Sequence, residues 1–297
     1  MSKGKKRKGV RYSTDSAAIN IFSSLLRDQE LKERTIQKFL DDQIILHRPM
    51  PMKLTGYQVM QRARKIAGQI LGDYPGDEVI ENVQFGKKSS IGCPFSLAYI
   101  DHKLKDVKAF TGTSETSKFF MDQVLPGDHI LQRILKDHKF SDLHANLTMS
   151  HLNLVDVPKT WKAYRLITPL TLLGLFFSYG VGRVVTTRLK DHGLDIATLQ
   201  HRHRFCVKEY SLTRSHATAD LTRASDSITS EMLNRGLPRP WYNAVKKTFV
   251  RSVKTDDGEF STASILPMGN GATFPIETLV FYSIIKAIGE LTGVEGT

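Results

Sequence analysis

One acidic residue lies inside an otherwise apolar segment and is the first candidate for chemistry. Residues 217–221 read Ala-Thr-Ala-Asp-Leu, which predicts a short buried strand that contains Asp220. Burial of a carboxylate is costly unless the group is paired or holds a metal ion. A helix predicted over residues 228–233 explains the nearby Asp226 and Ser227 as helix caps. Capping does not explain Asp220, so this carboxylate is a candidate metal ligand.

Three cations spaced three residues apart form a second pattern. Lys159, Lys162 and Arg165 would project along one ribbon of extended chain, interleaved with the aromatic rings of Trp161 and Tyr164. Cations neutralise phosphates and aromatic rings stack on bases, so the pattern is typical of nucleic-acid binding. Taken alone, the stretch is explained equally well as an ordinary charged loop.

A glycine-rich loop forms a third pattern near the end of the sequence. Residues 267–273 contain Gly269 and Gly271, and residues 276–291 predict an apolar helix directly after the loop. Glycine permits positive φ angles and the close approach of a ligand or a strand. Such loops are common, so this one becomes informative only together with the other two patterns.

Two further groupings could be taken for metal sites, but each has a better structural explanation. Asp256 and Asp257 precede a glycine between two β-prone runs, and Asp-Gly in that place predicts a hairpin turn. His201, His203 and Cys206 lack a second pair of ligands for zinc. The alternating His-Arg pattern instead predicts a basic strand that is solvated or faces RNA.

The elements that would position these residues are predicted to be mostly helical. Thr55 is the expected N-cap of a helix that ends before Gly72. Apolar spacing and turn signals predict helices at residues 17–27, 29–46, 56–71 and 77–83, a loop at residues 86–94 and a strand at residues 152–157.

An uncharged run lies just past the middle of the sequence. Residues 166–182 contain no charged side chain and lie between Arg165 and Arg183. The run is short for a membrane span, and small or polar residues such as Gly174 and Ser178 interrupt it. It therefore predicts a buried helix that enters a core.

The composition favours a globular protein with polyanion contacts at defined places. The 297 residues are 40% hydrophobic and 24% charged, which disfavours disorder throughout, and the formal net charge is +12. The positive excess is concentrated in residues 1–9, which predict a solvated tail, and in residues 151–219. Two cysteines exclude a disulfide framework and a four-thiolate zinc site. So few cysteines suit a reducing compartment. The basic start lacks the apolar part of a secretory signal, in agreement with that compartment.

The three patterns occur in an order that resembles the levivirus replicase, the RNA-directed RNA polymerase subunit of single-stranded RNA bacteriophages. Residues 157–165 are similar to motif F of that family, and residues 217–228 are similar to motif A. Residues 268–274, with Glu277, are similar to motif B. The resemblance covers about residues 154–294.

The resemblance implies an α+β fold of the right-hand polymerase type, with fingers and a partial palm. Motif C, a Gly-Asp-Asp hairpin expected after the motif B helix, and the thumb are absent from this sequence. We therefore expect an incomplete replicase that is inactive alone. The predicted divisions are a basic tail at residues 1–15, an N-terminal and fingers region at residues 16–150, fingers with motif F at residues 151–215, and a partial palm with motifs A and B at residues 216–297.

The resemblance also implies roles in catalysis. Asp220 would be the catalytic residue and would hold the Mg²⁺ ions, two in the complete enzyme, that activate the primer 3′-hydroxyl and stabilise the leaving pyrophosphate. Lys159, Lys162 and Arg165 would face the incoming nucleoside triphosphate and the RNA template, and would neutralise phosphate charge.

Motifs A and B would supply the rest of the nucleotide site. Asp226 and Asn270 would sense the ribose 2′-hydroxyl that separates RNA from DNA precursors. Two glycines would let the motif B loop shift as the nucleotide docks. The expected binding residues in these motifs are Ser225, Asp226, Gly269, Asn270, Gly271 and Thr273. The sequence departs from the family at Arg223, where a small residue is usual, and at Pro267, where Ser is common.

The implied partners are the RNA template, nucleoside triphosphates and the host elongation factors Tu and Ts, in the cytoplasm of the bacterial host and away from the membrane. Two alternatives belong to other classes of protein. A non-catalytic RNA-binding protein would keep the basic groove without the chemistry, and a membrane-associated protein would use residues 166–182. A Gly-Asp-Asp encoded soon after residue 297 would favour the polymerase, and a stop codon there would favour the RNA-binding protein.

Overall fold

The protein was analysed as a computed structural model that describes residues 14–48, 53–136, 146–160, 163–214, 221, 223–256, 258–266 and 268–294. The described residues fall into two compact units. The first contains residues up to Asp42 together with Asp156–Leu166, and the second contains Gln43–Val155 together with residues from Ile167 onwards.

The described chain is mostly helical. Short 3₁₀ turns occur at Phe95–Leu97, Leu125–Gly127 and Asn146–Thr148, and a π-helical turn occurs at Phe120–Val124. The strands are β1 (Leu152–Asn153), β2 (Val155–Thr160), β3 (Ala163–Ile167), β4 (Ser252–Thr255) and β5 (Gly258–Ser261). The helices are α1 (Thr14–His47), α2 (Leu54–Leu71), α3 (Gly76–Asn82), α4 (Ile100–Lys105), α5 (Ser114–Phe119), α6 (His129–Lys136), α7 (Leu172–Asp191), α8 (Ile196–Thr213), α9 (Ala224–Ser227), α10 (Ser230–Gly236), α11 (Arg239–Lys247) and α12 (Thr273–Thr292). This mixture of helix and strand agrees with the predicted α+β class.

The first unit combines most of α1 with the two-stranded sheet of β2 and β3. Residues 17–27 and 29–46, which each carry a helical pattern, belong to this one continuous helix. The predicted strand at residues 152–157 is confirmed as β1 followed by the start of β2.

Helix α7 lies at the centre of the second unit and is buried along most of its length. Thr171 caps it, since its Oγ1 accepts a hydrogen bond of 3.1 Å from Gly174 N. The prediction of a buried helix from the uncharged run is thus confirmed from Leu172 onwards. No helix in the described ranges is both long and apolar enough to cross a membrane.

The main core of the second unit gathers side chains from α2, α7, α10, α11 and α12. Trp241 of α11 is fully buried there, and its Nε1 donates a 3.0 Å hydrogen bond to Gly72 O. Helix α2 packs along α12, and Arg62 of α2 pairs with Glu290 of α12. Burial of these apolar faces is the main source of stability in the unit.

A small sheet completes the second unit. β1 pairs in parallel with β4, with Leu152 opposite Val253, and β4 pairs antiparallel with β5. The hairpin predicted from Asp-Gly is therefore confirmed, with Asp256 exposed at the turn. Gly258 has a φ of 138°, a conformation that favours glycine. Asp257 lies outside the described residues.

The basic strand predicted around His201 and His203 is wrong, because both residues lie in α8. The helix is capped by Asp195, whose Oδ1 accepts a 3.1 Å hydrogen bond from Ala197 N. No residue of α8 is buried. Alternation indicates a strand only when it separates a buried face from an exposed one, and here both sets of side chains are polar.

Two predicted helix caps are also wrong. Helix α2 begins at Leu54 with Lys53 at the N-cap, so Thr55 lies inside the first turn, although Gly72 ends the helix as predicted with a φ of 64°. Asp226 and Ser227 form part of α9, and Thr229 caps the next helix by accepting a 3.1 Å bond from Met232 N. Cap residues compete within a few positions, and sequence alone does not rank them.

Candidate functional site

The glycine-rich loop of motif B is fixed by the buried side chain of Asn270, which is 4% exposed. Its Nδ2 donates a 2.9 Å hydrogen bond to Thr248 Oγ1, and its Oδ1 accepts a 2.8 Å bond from Ala272 N. Both ends of the amide thus bind within the chain and set the shape of the loop. Its predicted contact with the ribose stays a prediction.

The same loop rests directly on α7. Gly271 N donates a 3.0 Å hydrogen bond to Ser178 Oγ, and a Cβ on Gly271 would lie 3.0 Å from Tyr179 N. A Cβ on Gly182, one turn along α7, would lie 2.4 Å from Gly271 O. Gly269 has a φ of 108°, which a residue with a Cβ rarely adopts. Gly182 and Gly271 therefore serve a close contact between backbones, whereas Gly269 serves the conformation of the loop.

Helix α9 of motif A contacts α12, the helix that follows the motif B loop. Ser225 and Asp226 are half-buried on α9, and Thr273 is buried at the start of α12. Glu277 lies one turn further along α12. Burial raises the pKa of the Glu277 carboxyl above its ordinary value, and the nearby charge of Asp226 raises it further. The structure thus brings residues of motifs A and B together.

The Glu277→Gln variant is expected to be more stable than the unmodified chain at pH 7. Because folding raises the pKa of Glu277, the folded chain binds the carboxyl proton more tightly than the unfolded chain does. The free energy of unfolding therefore falls as the pH rises from the ordinary carboxyl pKa of 4.5 through the raised pKa of the folded chain. The expected gain in Tm is roughly one or two degrees, since the group is partly exposed. Thermal unfolding at several pH values measures it, and the gain should vanish as the pH falls to about 4.

The matched control for this variant is Glu81→Gln, which removes one exposed carboxylate from α3. It should leave the pH dependence of Tm unchanged. A gain for Glu277→Gln that is equally large in acid would show that the effect comes from packing and not from the titration of this group.

Arg223, which directly precedes α9, has a strained backbone conformation. Its φ is 55°, in the left-handed region, and its side chain is exposed. This conformation costs an L-residue other than glycine about 1–2 kcal/mol. The departure from the family at this position therefore coincides with a left-handed residue within motif A, directly before α9.

The ribbon of motif F lies in the first unit and is held to α1. Tyr164 donates a hydrogen bond from its hydroxyl to Asp28 Oδ1, and the ring lies 5.1 Å from Lys32 Nζ. The same Nζ lies 3.3 Å from Asp28 Oδ2 and 3.4 Å from Asp156 Oδ2. The Tyr164 bond lowers the pKa of Asp28 and raises that of Tyr164. The Tyr164 ring therefore packs against α1. The sequence pattern instead predicted a ring interleaved with the cations of the ribbon.

The remaining predicted site residues divide between described and undescribed parts of the chain. Lys159 and Arg165 are exposed on β2 and β3. Asp220, Lys162 and Pro267 lie outside the described residues, and so does the predicted strand at residues 217–220. Leu221, which would end that strand, is described and is 54% exposed.

Sequence reasoning missed the residues that support the motif B loop. Ser178, Tyr179 and Gly182 lie within the uncharged run, and Thr248 follows α11. The available signal was the set of small and polar residues that interrupt the run, because such interruptions in a buried helix mark a close neighbour.

A metal site is not formed by the described residues alone. Those residues contain no group of three or more His, Cys, Asp or Glu side chains that could hold an ion. Asp226 and Glu277 are a pair of carboxylates, and Asp220 belongs to the undescribed part of the chain.

Comparison with known proteins decides the family. The family model described as RNA replicase, beta-chain, matches residues 48–297. The chain belongs to the RNA replicase beta-chain family. The predicted resemblance to the replicases of RNA phages is thereby confirmed, and membership of an RNA polymerase family indicates the use of divalent metal ions in general.

Three relatives show how much of a replicase this chain covers. The RNA-directed RNA polymerase subunit beta of Enterobacteria phage SP is 34% identical over 157 residues, which are 52% of this chain and 27% of the relative. The corresponding subunit of Escherichia virus Qbeta is 32% identical over 48% of this chain and 24% of the relative. The RNA-directed RNA polymerase beta chain of Escherichia phage MS2 is 29% identical over 74% of this chain and 41% of the relative. The chain thus spans about a quarter to two fifths of the length of these replicases.

Proposed function

We propose that this chain is a part of an RNA-directed RNA polymerase that binds the RNA template and nucleoside triphosphates and carries the catalytic aspartate Asp220. The observation that carries the proposal is the contact between α9 and the motif B elements, in a chain of the RNA replicase beta-chain family. The right-hand architecture, with motif F in the fingers and motifs A and B in the palm, is part of the same proposal.

The residues of motifs A and B would select the sugar. An ionised Asp226 accepts hydrogen bonds and donates none, so it can accept one from a ribose 2′-hydroxyl, which deoxyribose lacks. The raised pKa of Glu277 means that this neighbour takes up a proton more readily than an ordinary glutamate, which reduces the repulsion at Asp226. Asn270 would act by holding the loop in place.

Asp220 is the proposed metal ligand, and Mg²⁺ is the proposed metal, because carboxylate oxygens are ligands that Mg²⁺ prefers. Two bound Mg²⁺ ions would supply charge stabilisation for the attacking and leaving oxygens of nucleotidyl transfer. The described residues do not fit a complete Mg²⁺ site by themselves, since they form no larger ligand group. The host elongation factors Tu and Ts are the proposed protein partners.

The cations of motif F would bind phosphates of the template and of the nucleotide. Changing Lys159, Lys162 and Arg165 together to Ala is expected to flatten the salt dependence of RNA binding. Each lost contact to single-stranded RNA lowers the slope of log K against log salt by roughly 0.7 unit, so three contacts give about two units. Fluorescence anisotropy with labelled RNA over a range of salt concentrations measures the slope.

The matched control removes the same charge from three exposed positions on α2 and α12: Arg64, Lys65 and Lys286. This variant should keep a slope close to that of the unmodified chain. Equal slopes for all three proteins would mean that the ribbon is only a solvated surface and would contradict the proposal.

A further inference from the structure

The two strands of the motif F ribbon present their anchoring residues and their cations on opposite faces. Successive side chains of a strand point to opposite faces. In β3, Tyr164 contacts α1, so the next residue, Arg165, points away from that helix. In β2, Asp156 contacts Lys32 of α1, and Lys159, three positions later, lies on the other face. Both cations are exposed accordingly.

Lys32 is the centre of the anchor. Its ammonium lies within 3.4 Å of carboxylate oxygens on Asp28 and Asp156 and 5.1 Å from the centroid of the Tyr164 ring. Asp28 in turn accepts the hydroxyl hydrogen bond of Tyr164. One helix residue is thereby joined to both strands, through Asp156 on β2 and Tyr164 on β3.

The anchoring helix residues lie outside the region by which the family is recognised. The family match begins at residue 48, whereas Asp28 and Lys32 belong to α1, which begins at Thr14. Nothing in the motif pattern therefore assigns them a role.

We infer that Asp28 and Lys32 of α1 are positioning residues for the RNA-binding ribbon, which hold β2 and β3 so that Lys159 and Arg165 face the RNA. The inference rests on the proposed function, because it gives the two cations a polyanionic ligand. The anchor acts through the ribbon: it contributes geometry to the site, and the cations contribute the charge.

Tyr164→Phe is the sharpest test, because it removes one hydroxyl and keeps the ring. The substitution should weaken the binding of single-stranded RNA by roughly three- to tenfold in the otherwise unmodified chain, as the cations lose their fixed orientation. In a chain that already carries Lys159→Ala and Arg165→Ala, the same substitution should leave RNA affinity unchanged. This non-additivity separates positioning from a general loss of structure.

A second pair of variants tests the helix side of the anchor. Lys32→Met keeps most of the side-chain volume and should weaken RNA binding to a similar extent, whereas Lys32→Arg should restore affinity because it keeps the charge. Tm and far-UV circular dichroism of each variant, measured in parallel, show that the helix is retained.

The outcomes distinguish the inference from the proposed function. An equal loss of affinity from Tyr164→Phe in both backgrounds, or no loss in either while removal of the cations weakens binding, would overturn the inference and leave the proposed function standing. Failure of the unmodified chain to bind RNA, or binding that is insensitive to loss of Lys159 and Arg165, would overturn both.

Discussion

Replacement of Asp220 by Asn is expected to lower template-directed nucleotide addition by at least roughly a thousandfold in an active replicase that includes this chain, with RNA affinity nearly unchanged. The amide keeps the shape of the carboxylate but removes the negative charge that a metal ligand in this place must supply. Incorporation of labelled nucleotide on an RNA template measures the rate, and anisotropy measures the affinity.

The matched control is Asp256→Asn. Asp256 is exposed at the turn between β4 and β5, so it should tolerate the same change with near-normal incorporation. Near-normal extension by the Asp220 variant would refute the assignment of this residue. A large loss in the Asp256 variant would direct the search for metal ligands to the hairpin.

Gly182→Ala is expected to lower stability and the rate of nucleotide incorporation more than any other single added methyl group in the described site. The added Cβ would meet the backbone of the motif B loop, 2.4 Å from Gly271 O and 3.1 Å from Ala272 Cα, so the loop must move away from α7. Overpacking of this kind costs about 1–3 kcal/mol of stability. A displacement of about 1 Å near reacting groups costs about a hundredfold in rate.

Gly68→Ala provides the comparison for this variant. Gly68 lies inside α2, and a Cβ there would be 3.5 Å from Pro238 Cγ, an ordinary contact. Alanine is a better helix former than glycine by about 1 kcal/mol, so this variant should be equally or more stable. The two variants should therefore differ in the free energy of unfolding measured with urea, and they should also differ in the rate of nucleotide incorporation. If Gly182→Ala matched Gly68→Ala in both, the loop would be able to adjust without cost.

Patterns within a short stretch of sequence predicted much of the fold. The uncharged run predicted a buried helix, and Asp-Gly between β-prone residues predicted the hairpin of β4 and β5, because burial period and turn chemistry are local properties. The pattern failed at His201, where alternating polar residues carried no information about burial.

Contacts between distant segments were beyond the reach of such patterns. Tyr164 bonds to a residue 136 positions earlier, and Gly271 bonds to Ser178, 93 positions earlier. The sequence gives the chemical type of each side chain but does not show which distant residue it contacts. The motifs therefore predicted which residues would do chemistry, whereas the contacts that α1 makes with the motif F ribbon and α7 makes with the motif B loop emerged only from the fold.

The packing of α2 against α12 has a consequence for how the protein is made on the ribosome. Arg62 and Glu290, which pair across this contact, are 228 residues apart in the chain. At about 5–20 residues per second, translation needs roughly 10–45 seconds to pass from one to the other. The apolar side of α2 is not covered by α12 during that interval. The nascent chain therefore exposes an aggregation-prone apolar surface of the kind that chaperones bind. Early release of the chain would then lead to aggregation, and slow codons before α12 would lower the yield of folded protein.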